Sequence, residues 1–193
     1  VSTTKIVLGI TGASGFIGGA LVRCAKAKPH LSLRLFDRCA GTIEGLSVSV
    51  LEDSLPSLAE VDYLIHLAGL IPKRGNQTDY QKINVELAER VAEAAFAAKV
   101  KRFVLASSLG VHGHSAPNAI TPDAPFAPES PYAVSKAEAE HRVKSILANT
   151  QTALGIVRPP VVYGPGMAGK FAALAKVIRL GIPLPRGAHG VRA

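Results

Sequence analysis

Tyr132 and Lys136 stand four residues apart in PYAVSKAEAE, at the start of a run with helical periodicity. One turn separates them, so the phenol and the ammonium share a helix face. Such a pair suits proton transfer. A free tyrosine, with a pKa of about 10, is a poor base near neutrality, and a neighbouring ammonium favours its phenolate. The same spacing also arises on ordinary amphipathic surface helices, so the pair needs company before it carries chemistry.

A glycine loop supplies part of that company. TGASGFIGG follows an apolar run and opens a helical one. There Gly12 permits a tight turn, Gly15 lets a diphosphate approach the backbone, and Gly18 lets the helix pack close to the sheet. Ser14, Phe16 and Ile17 lie on the same turn, at a helix N-terminus whose amides face negative charge. An acidic residue is then expected at the end of the second strand, and Asp37 stands there in LFDR. Its carboxylate accepts hydrogen bonds from adenosine ribose hydroxyls and repels a 2′-phosphate, favouring NAD over NADP. Arg38 keeps NADP open, since an arginine pairs with that phosphate, although solvent exposure is the simpler reading. Asp53, after the third strand, is a candidate for the adenine amino group.

These groups need a scaffold. Runs at 5–11, 31–37, 46–51, 62–68, 102–108 and 154–160 read as buried strands, with helical periodicity at 15–28, 79–99 and 131–149. The alternation predicts an α/β fold, a doubly wound Rossmann parallel sheet with helices on both faces. Ligands then belong at the carboxyl ends of the strands. Residues 1–165 are expected to form the dinucleotide-binding domain. Residues 166–193, a helix-like run and a Pro/Gly-rich tail, read as the start of a substrate-binding region that is mostly absent.

Composition narrows the partners. A chain of 193 residues is long enough for one sizeable core. The net charge of +8 permits nucleic-acid binding, but the 22 basic residues are spread along the chain without interleaved aromatics, so no nucleic-acid partner is expected. The apolar start is interrupted by glycines, unlike a secretory leader, and no stretch is long and apolar enough to span a membrane, so no membrane partner is expected. Cys24 and Cys39 make neither a disulfide framework nor a metal site and fit a reducing cytoplasm.

Six segments in order carry a family likeness: TGASGFIGG, HLAGL at 66–70, INVELAERV around Asn84, FVLASSLGVHG at 103–113, PYAVSKAEAE, and VRPPVVYGPG at 157–166. Together they resemble the extended short-chain dehydrogenase/reductase family, nearest its NAD-dependent nucleotide-sugar epimerase/dehydratase group. The resemblance runs from about Lys5 to Arg186. It implies that Tyr132 is the catalytic base, Lys136 its activator and a holder of the nicotinamide ribose, and Ser108 the residue that orients the reacting oxygen, with Ser107 its less active neighbour. Leu67, Ala68 and Gly69 are implied to wrap the cofactor's ribose and phosphates, Asn84 to shape the site, and Pro159 and Val161 to pass near the nicotinamide. Lys136 and the nicotinamide ring together are expected to lower the Tyr132 pKa by ~3 units, roughly 4 kcal/mol. His66 and His112 read as structural, and Lys73 and Arg74 as exposed loop charge.

The resemblance also sorts the reactions. In 4,6-dehydratases the serine position is followed by carboxylates that serve water loss, whereas Leu109 and Gly110 follow Ser108 here. The implied activity is an NAD-dependent 4-epimerase of a UDP-sugar, like UDP-glucose and UDP-N-acetylhexosamine 4-epimerases. An NAD(P)-dependent reductase or dehydrogenase of a keto-sugar or other carbonyl is the alternative. A non-catalytic NAD(P)-sensing regulator is a third. By the same resemblance, helices at 78–97 and 131–149 pair across a two-fold axis in a homodimer; an apolar stripe on both would support it, and a monomer in solution would count against it.

Overall fold

The structure is a computed structural model that describes residues 5–51, 55–72, 75–113, 119–167 and 170–181; Asp53, Lys73 and Arg74 lie outside these. The chain divides into two compact units, Val1–Pro160 and Val161–Ala193. In the first, β1 (Ile6–Thr11) leads to α1 (Phe16–Lys26), β2 (Leu31–Asp37), β3 (Gly41–Ile43), β4 (Leu46–Val50) and β5 (Tyr63–His66). Then come α2 (Gln77–Tyr80), a π-helical stretch (Gln81–Glu86), α3 (Leu87–Ala97), β6 (Arg102–Ala106), a short 3-10 turn (Leu109–His112), α4 (Pro131–Leu147) and β7 (Ala153–Val157). The second unit contains α5 (Lys170–Arg179).

The strands form one sheet in the order β3-β4-β2-β1-β5-β6-β7. Every pairing is parallel except β3 with β4. The alternation in the sequence therefore gives the doubly wound α/β sheet that it predicts. Strand order reverses at β1, where Thr11 pairs with Phe36 of β2 on one side and His66 of β5 on the other. That reversal opens the crevice in which such sheets hold ligands.

Two apolar layers fix the sheet. On one face, Phe36, Leu64, Phe103 and Leu105 pack against Val91, Ala92 and Ala95 of α3 and Ala139 and Val143 of α4. Alanines dominate the buried side of α3, which lets that helix lie close to the strands. A smaller cluster joins Ile10 and Leu35 to Val22 of α1. Helix α4 starts sharply: Ser130 accepts a hydrogen bond from the Ala133 amide at 3.2 Å, and Pro131 occupies the first helical position. Tyr132 is thereby placed in the first turn.

Two features depart from the sequence reading. Strand β3 is an added antiparallel edge, joined to β4 by Glu44 and Gly45 with φ of 52° and 76°. Two successive positive φ values are what a type I′ hairpin turn demands. The helix expected over 79–99 is not uniform either, because residues 81–86 widen into a π-helix. As for the helices expected to pair two copies, α3 exposes one large apolar side chain, Phe96, and α4 one, Val134. Between them Arg142 bridges Glu89 at 2.7 Å and Glu138 at 2.8 Å, so the described surface is ionic rather than a continuous apolar stripe. Among the described residues no helix is long and apolar enough to cross a membrane.

Candidate active site

Two positions of the glycine loop admit only glycine. Gly12 has φ of +68°, and a Cβ there would lie 2.7 Å from the Ala68 amide nitrogen. A Cβ on Gly18 would collide with the carbonyl oxygen of Gly12 and come within 2.9 Å of the Ala13 Cα, both of them backbone. Gly15 caps α1 and turns its amide onto the Gly12 carbonyl at 3.0 Å. The result is a tight strand-to-helix turn with the helix N-terminus at its mouth, which suits an anion. Phe16 and Ile17 open the helix with exposed side chains. Asp37 reaches this turn from the end of β2: its carboxylate accepts hydrogen bonds from the Ser14 and Arg38 amides, each at 2.7 Å. The Arg38 residue itself is exposed.

Beside the turn, the loop after β5 is held from both sides. Thr11 Oγ1 accepts from the amides of Leu67 and Ala68, each at 3.2 Å. Asn84 Oδ1 accepts from the Leu70 amide at 2.7 Å, and Nδ2 donates to the Leu70 carbonyl at 3.3 Å and to Ser135 Oγ at 3.0 Å. Asn84 is buried, and it sits in the π-helical stretch. One extra residue per turn shifts a side chain out of the α pattern, and here the shifted residue faces the loop. Gly69 lies at the crossing: a Cβ there would be 2.9 Å from Asn84 Oδ1 and 3.2 Å from Lys136 Nζ. The loop thus joins the glycine turn to the Tyr132–Lys136 helix.

His66 anchors that loop from below. Thr11 Oγ1 already accepts two amides, so its hydrogen goes to His66 Nδ1, 2.8 Å away. The imidazole is then the Nε2–H tautomer, stacked on Phe103, and Nε2 has no partner among the described residues. Burial, with the Lys136 charge second, pushes its pKa down to about 3. A histidine neutral in the fold but titrating normally when unfolded contributes stability above the unfolded pKa, lost as pH falls from about 6.5 toward about 3. The wild type is accordingly expected to lose about 2 kcal/mol between pH 7 and pH 5 from this group, and His66→Gln to remove that share of the slope. Urea titrations at the two pH values check this; a wild-type stability that does not fall would refute it.

The reacting groups converge on the end of β6. Lys136 is buried and donates to the Ala106 carbonyl at 3.0 Å. Ser108 lies two residues further on, near enough to the Tyr132 phenol to influence its titration, while its Oγ accepts from the Gly110 amide at 3.2 Å. Tyr132 packs edge-on against Tyr80, ring centroids 6.0 Å apart. The Pro159 carbonyl accepts from the Leu109 amide at 3.1 Å and ties the end of β7 to the same turn. Val161 opens the second unit.

The chain's own groups set the starting point for the Tyr132 proton. Burial raises the Tyr132 phenol above its ordinary pKa; the Ser108 hydrogen bond opposes this and Tyr80 adds to it. Lys136, which donates to the Ala106 carbonyl, is not among the groups that shift the phenol. Burial in turn brings Lys136 down to about 8, with Glu140 working against it. At neutral pH Lys136 is mainly an ammonium, and the chain's own groups hold Tyr132 as a phenol.

Several residues of the site escaped the sequence reading. Thr11, the polar end of a buried strand, is the hub of the β1–β5 crossing. Ser135 holds Asn84, and its Oγ donates back to the Tyr132 carbonyl at 2.8 Å. Glu140 continues the four-residue spacing of Tyr132 and Lys136, which was the available signal. His112 is structural as expected, with Nδ1 3.1 Å from the Pro125 carbonyl and its ring edge-on to Phe126.

Comparison with known proteins bears on this arrangement. Residues 8–187 match the family model described as the NAD dependent epimerase/dehydratase family. The chain is 29% identical over 195 residues to a UDP-glucose 4-epimerase of Vibrio cholerae, covering 92% of this chain and 58% of that protein. It is 36% identical over 170 residues to a ceramide reductase of Caulobacter vibrioides (strain NA1000 / CB15N), covering 83% of this chain and 47% of that one. Among solved structures it resembles MoeE5 in complex with UDP-glucose and NAD, at 32% identity and a TM-score of 0.72, covering 84% of this chain and 56% of that one. The chain spans about half the length of the relatives it matches.

Proposed function

Because the chain belongs to the NAD dependent epimerase/dehydratase family, we propose that it acts as an NAD-dependent 4-epimerase of a nucleotide sugar of the UDP-hexose class. The convergence of Ser108, Tyr132 and Lys136 at the end of β6, next to the glycine turn, carries this reading. The residues fit the dinucleotide. Gly12 and Gly18 keep the turn free of side chains where a diphosphate needs backbone amides. Asp37 offers a carboxylate for ribose hydroxyls, and Leu67, Ala68 and Gly69 line the adjoining loop. Lys136, next to Gly69, is the residue to hold the second ribose.

NAD, when bound, supplies a hydride acceptor that returns the hydride and a positive ring beside the phenol. The chain's own part is proton handling. Tyr132 Oη takes the proton of the sugar C4 hydroxyl and later gives it back to the same oxygen. Ser108 Oγ hydrogen-bonds that oxygen as it alternates between hydroxyl and carbonyl. Lys136 adds an ammonium to the same end of α4, and the burial that otherwise keeps Tyr132 protonated would be offset once the positive charge of bound NAD joins it. With Leu109 and Gly110 after Ser108, no acid–base pair for water loss stands there.

The likeness to the Caulobacter ceramide reductase supports a second reading, reduction of a carbonyl by the same three residues. One assay separates the two. The protein is incubated with UDP-glucose, UDP-galactose and their N-acetyl forms plus trace NAD, and the C4 configuration is followed by proton NMR. Interconversion without net NADH is expected. Stoichiometric NADH or NADPH use on a carbonyl substrate, with no interconversion, would replace the epimerase with the reductase.

A further inference from the structure

The charged face of α4 hides an acid that the proton chemistry above does not use. Glu140 is 0% exposed and lies one turn beyond Lys136. Arg158, just past the end of β7, grips it with both arms of the guanidinium: Nε to Oε1 at 2.8 Å and Nη2 to Oε2 at 2.6 Å. The third nitrogen, Nη1, donates to the Pro122 carbonyl at 2.7 Å. The guanidinium also lies over the Phe126 ring, 5.1 Å from its centroid. Lys144 stands at the edge of the pair, 3.6 Å from Glu140 Oε2.

A pair this deep is a poor device for stability alone. Two desolvated charges in good geometry roughly break even against apolar side chains of the same volume. Its position suggests another use. The three residues from the end of β6 onward lie against three successive turns of α4: Ala106 receives the Lys136 ammonium, and Ser107 and Ser108 lie near enough to Glu140 and Tyr132 to influence their titration. Arg158 ties this helix to the end of β7 and to the loop that leads into α4.

We infer that Glu140, locked by Arg158, is a positioning residue that fixes α4 against β6 and β7 and sets a negative charge one turn behind Lys136 at the reacting end. Lys136 faces Tyr132 and Glu140 on its own helix, the Ala106 carbonyl from β6, neutral His66 from β5, and Gly69 and Asn84 from the loop and the π-helical stretch. Among these, Glu140 is the negative charge that opposes the burial of Lys136. Without it, the charges left where the Glu140 carboxylate stood are Arg158 and Lys144, both positive. Burial is the largest single influence on Glu140 and pushes its pKa up, but the Arg158 hydrogen bonds, Ser107 and the charges of Arg158 and Lys144 together bring it below the ordinary value, so it stays ionised.

The functional importance of Lys136 rests on the epimerase reading, but the test does not. Lys136 is titrated by carbon-13 NMR of its ε-methylene, assigned through Lys136→Met, in the wild type, Glu140→Gln and the charge-neutral Glu140→Gln/Arg158→Gln double variant. The wild type is expected to titrate near about 8. Glu140→Gln should lower this by about one unit or more, cutting the ammonium fraction at pH 8 from about half to about a tenth. The double variant, freed of the stranded guanidinium, should fall between the two. It also serves as the test if the single variant does not fold. Folded variants whose Lys136 titrates as in the wild type would overturn the inference. An enzyme that fails to interconvert UDP-sugars but shows the shifted titration would sink the epimerase reading and leave the role of Glu140 standing.

Discussion

Tyr132→Phe is expected to lower turnover by about 10²–10⁴-fold, the usual contribution of a positioned acid–base group, while the fold and NAD affinity stay nearly unchanged. The substitution removes one oxygen. The ring keeps its edge-on contact with Tyr80, and Ser108 Oγ keeps the Gly110 amide. Burial raises the phenol's pKa, so the native site loses nothing by giving up a group it already holds neutral. What disappears is the acceptor for the C4 hydroxyl proton, for which phenylalanine has no substitute. The comparison needs two readouts on one preparation: interconversion by NMR and NADH binding by fluorescence. Turnover within tenfold of the wild type would remove Tyr132 from the role of base. Loss of both readouts would make its role one of binding.

The sequence made the frame legible because the frame rests on local rules. Gly12 and Gly18 are forced by clashes with backbone that any side chain would create, so the glycine pattern and the turn imply one another. Asp37 follows from the length of β2. Other features depend on partners distant in the chain. Strand β3 spans three residues, too short to show alternation, and its turn asks Glu44 to adopt a positive φ that glutamate seldom takes. The π-helical stretch is silent because α periodicity continues on either side of it, and the burial of Asn84 depends on Leu70 and Ser135. Glu140 lies in AEAEHR, which reads as a solvated face; Arg158, arriving just past the end of β7, makes it a core residue. The upward push on the Tyr132 pKa from the chain's own groups is silent for a related reason. Spacing reveals which charges are near a group, but not how much water has been removed from it, and here desolvation is the larger effect.

The same balance gives Lys136→Met an unusual expected result: a more stable protein that does not work. Lys136 is buried, and burial brings its pKa from 10.5 to about 8. Below about pH 8 it is charged in both folded and unfolded chains, so the full cost of hiding an ammonium is carried at neutral pH. Between about 8 and 10.5 the unfolded chain holds the proton that the folded one has released, and wild-type stability rises with pH across that window. A shift of this size corresponds to about 3 kcal/mol. Methionine fills much the same volume without a charge. The Ala106 carbonyl then loses its donor, which takes back about 1 kcal/mol, so a net gain of about 1–2 kcal/mol at pH 7 remains. Turnover, by contrast, should fall by at least about 10²-fold, and NADH binding should weaken, because the ammonium beside Tyr132 and Gly69 is gone. Urea midpoints at pH 7 and pH 9.5 separate the contributions, since the advantage of the variant should shrink at the higher pH as the wild-type lysine discharges. A variant less stable than the wild type at pH 7 would mean that the hydrogen bond to Ala106 and the field of Glu140 already compensate the burial. Lys136 would then be a structural residue as much as a functional one. Greater stability with lost turnover would mark the lysine as strain retained in the fold for its chemistry.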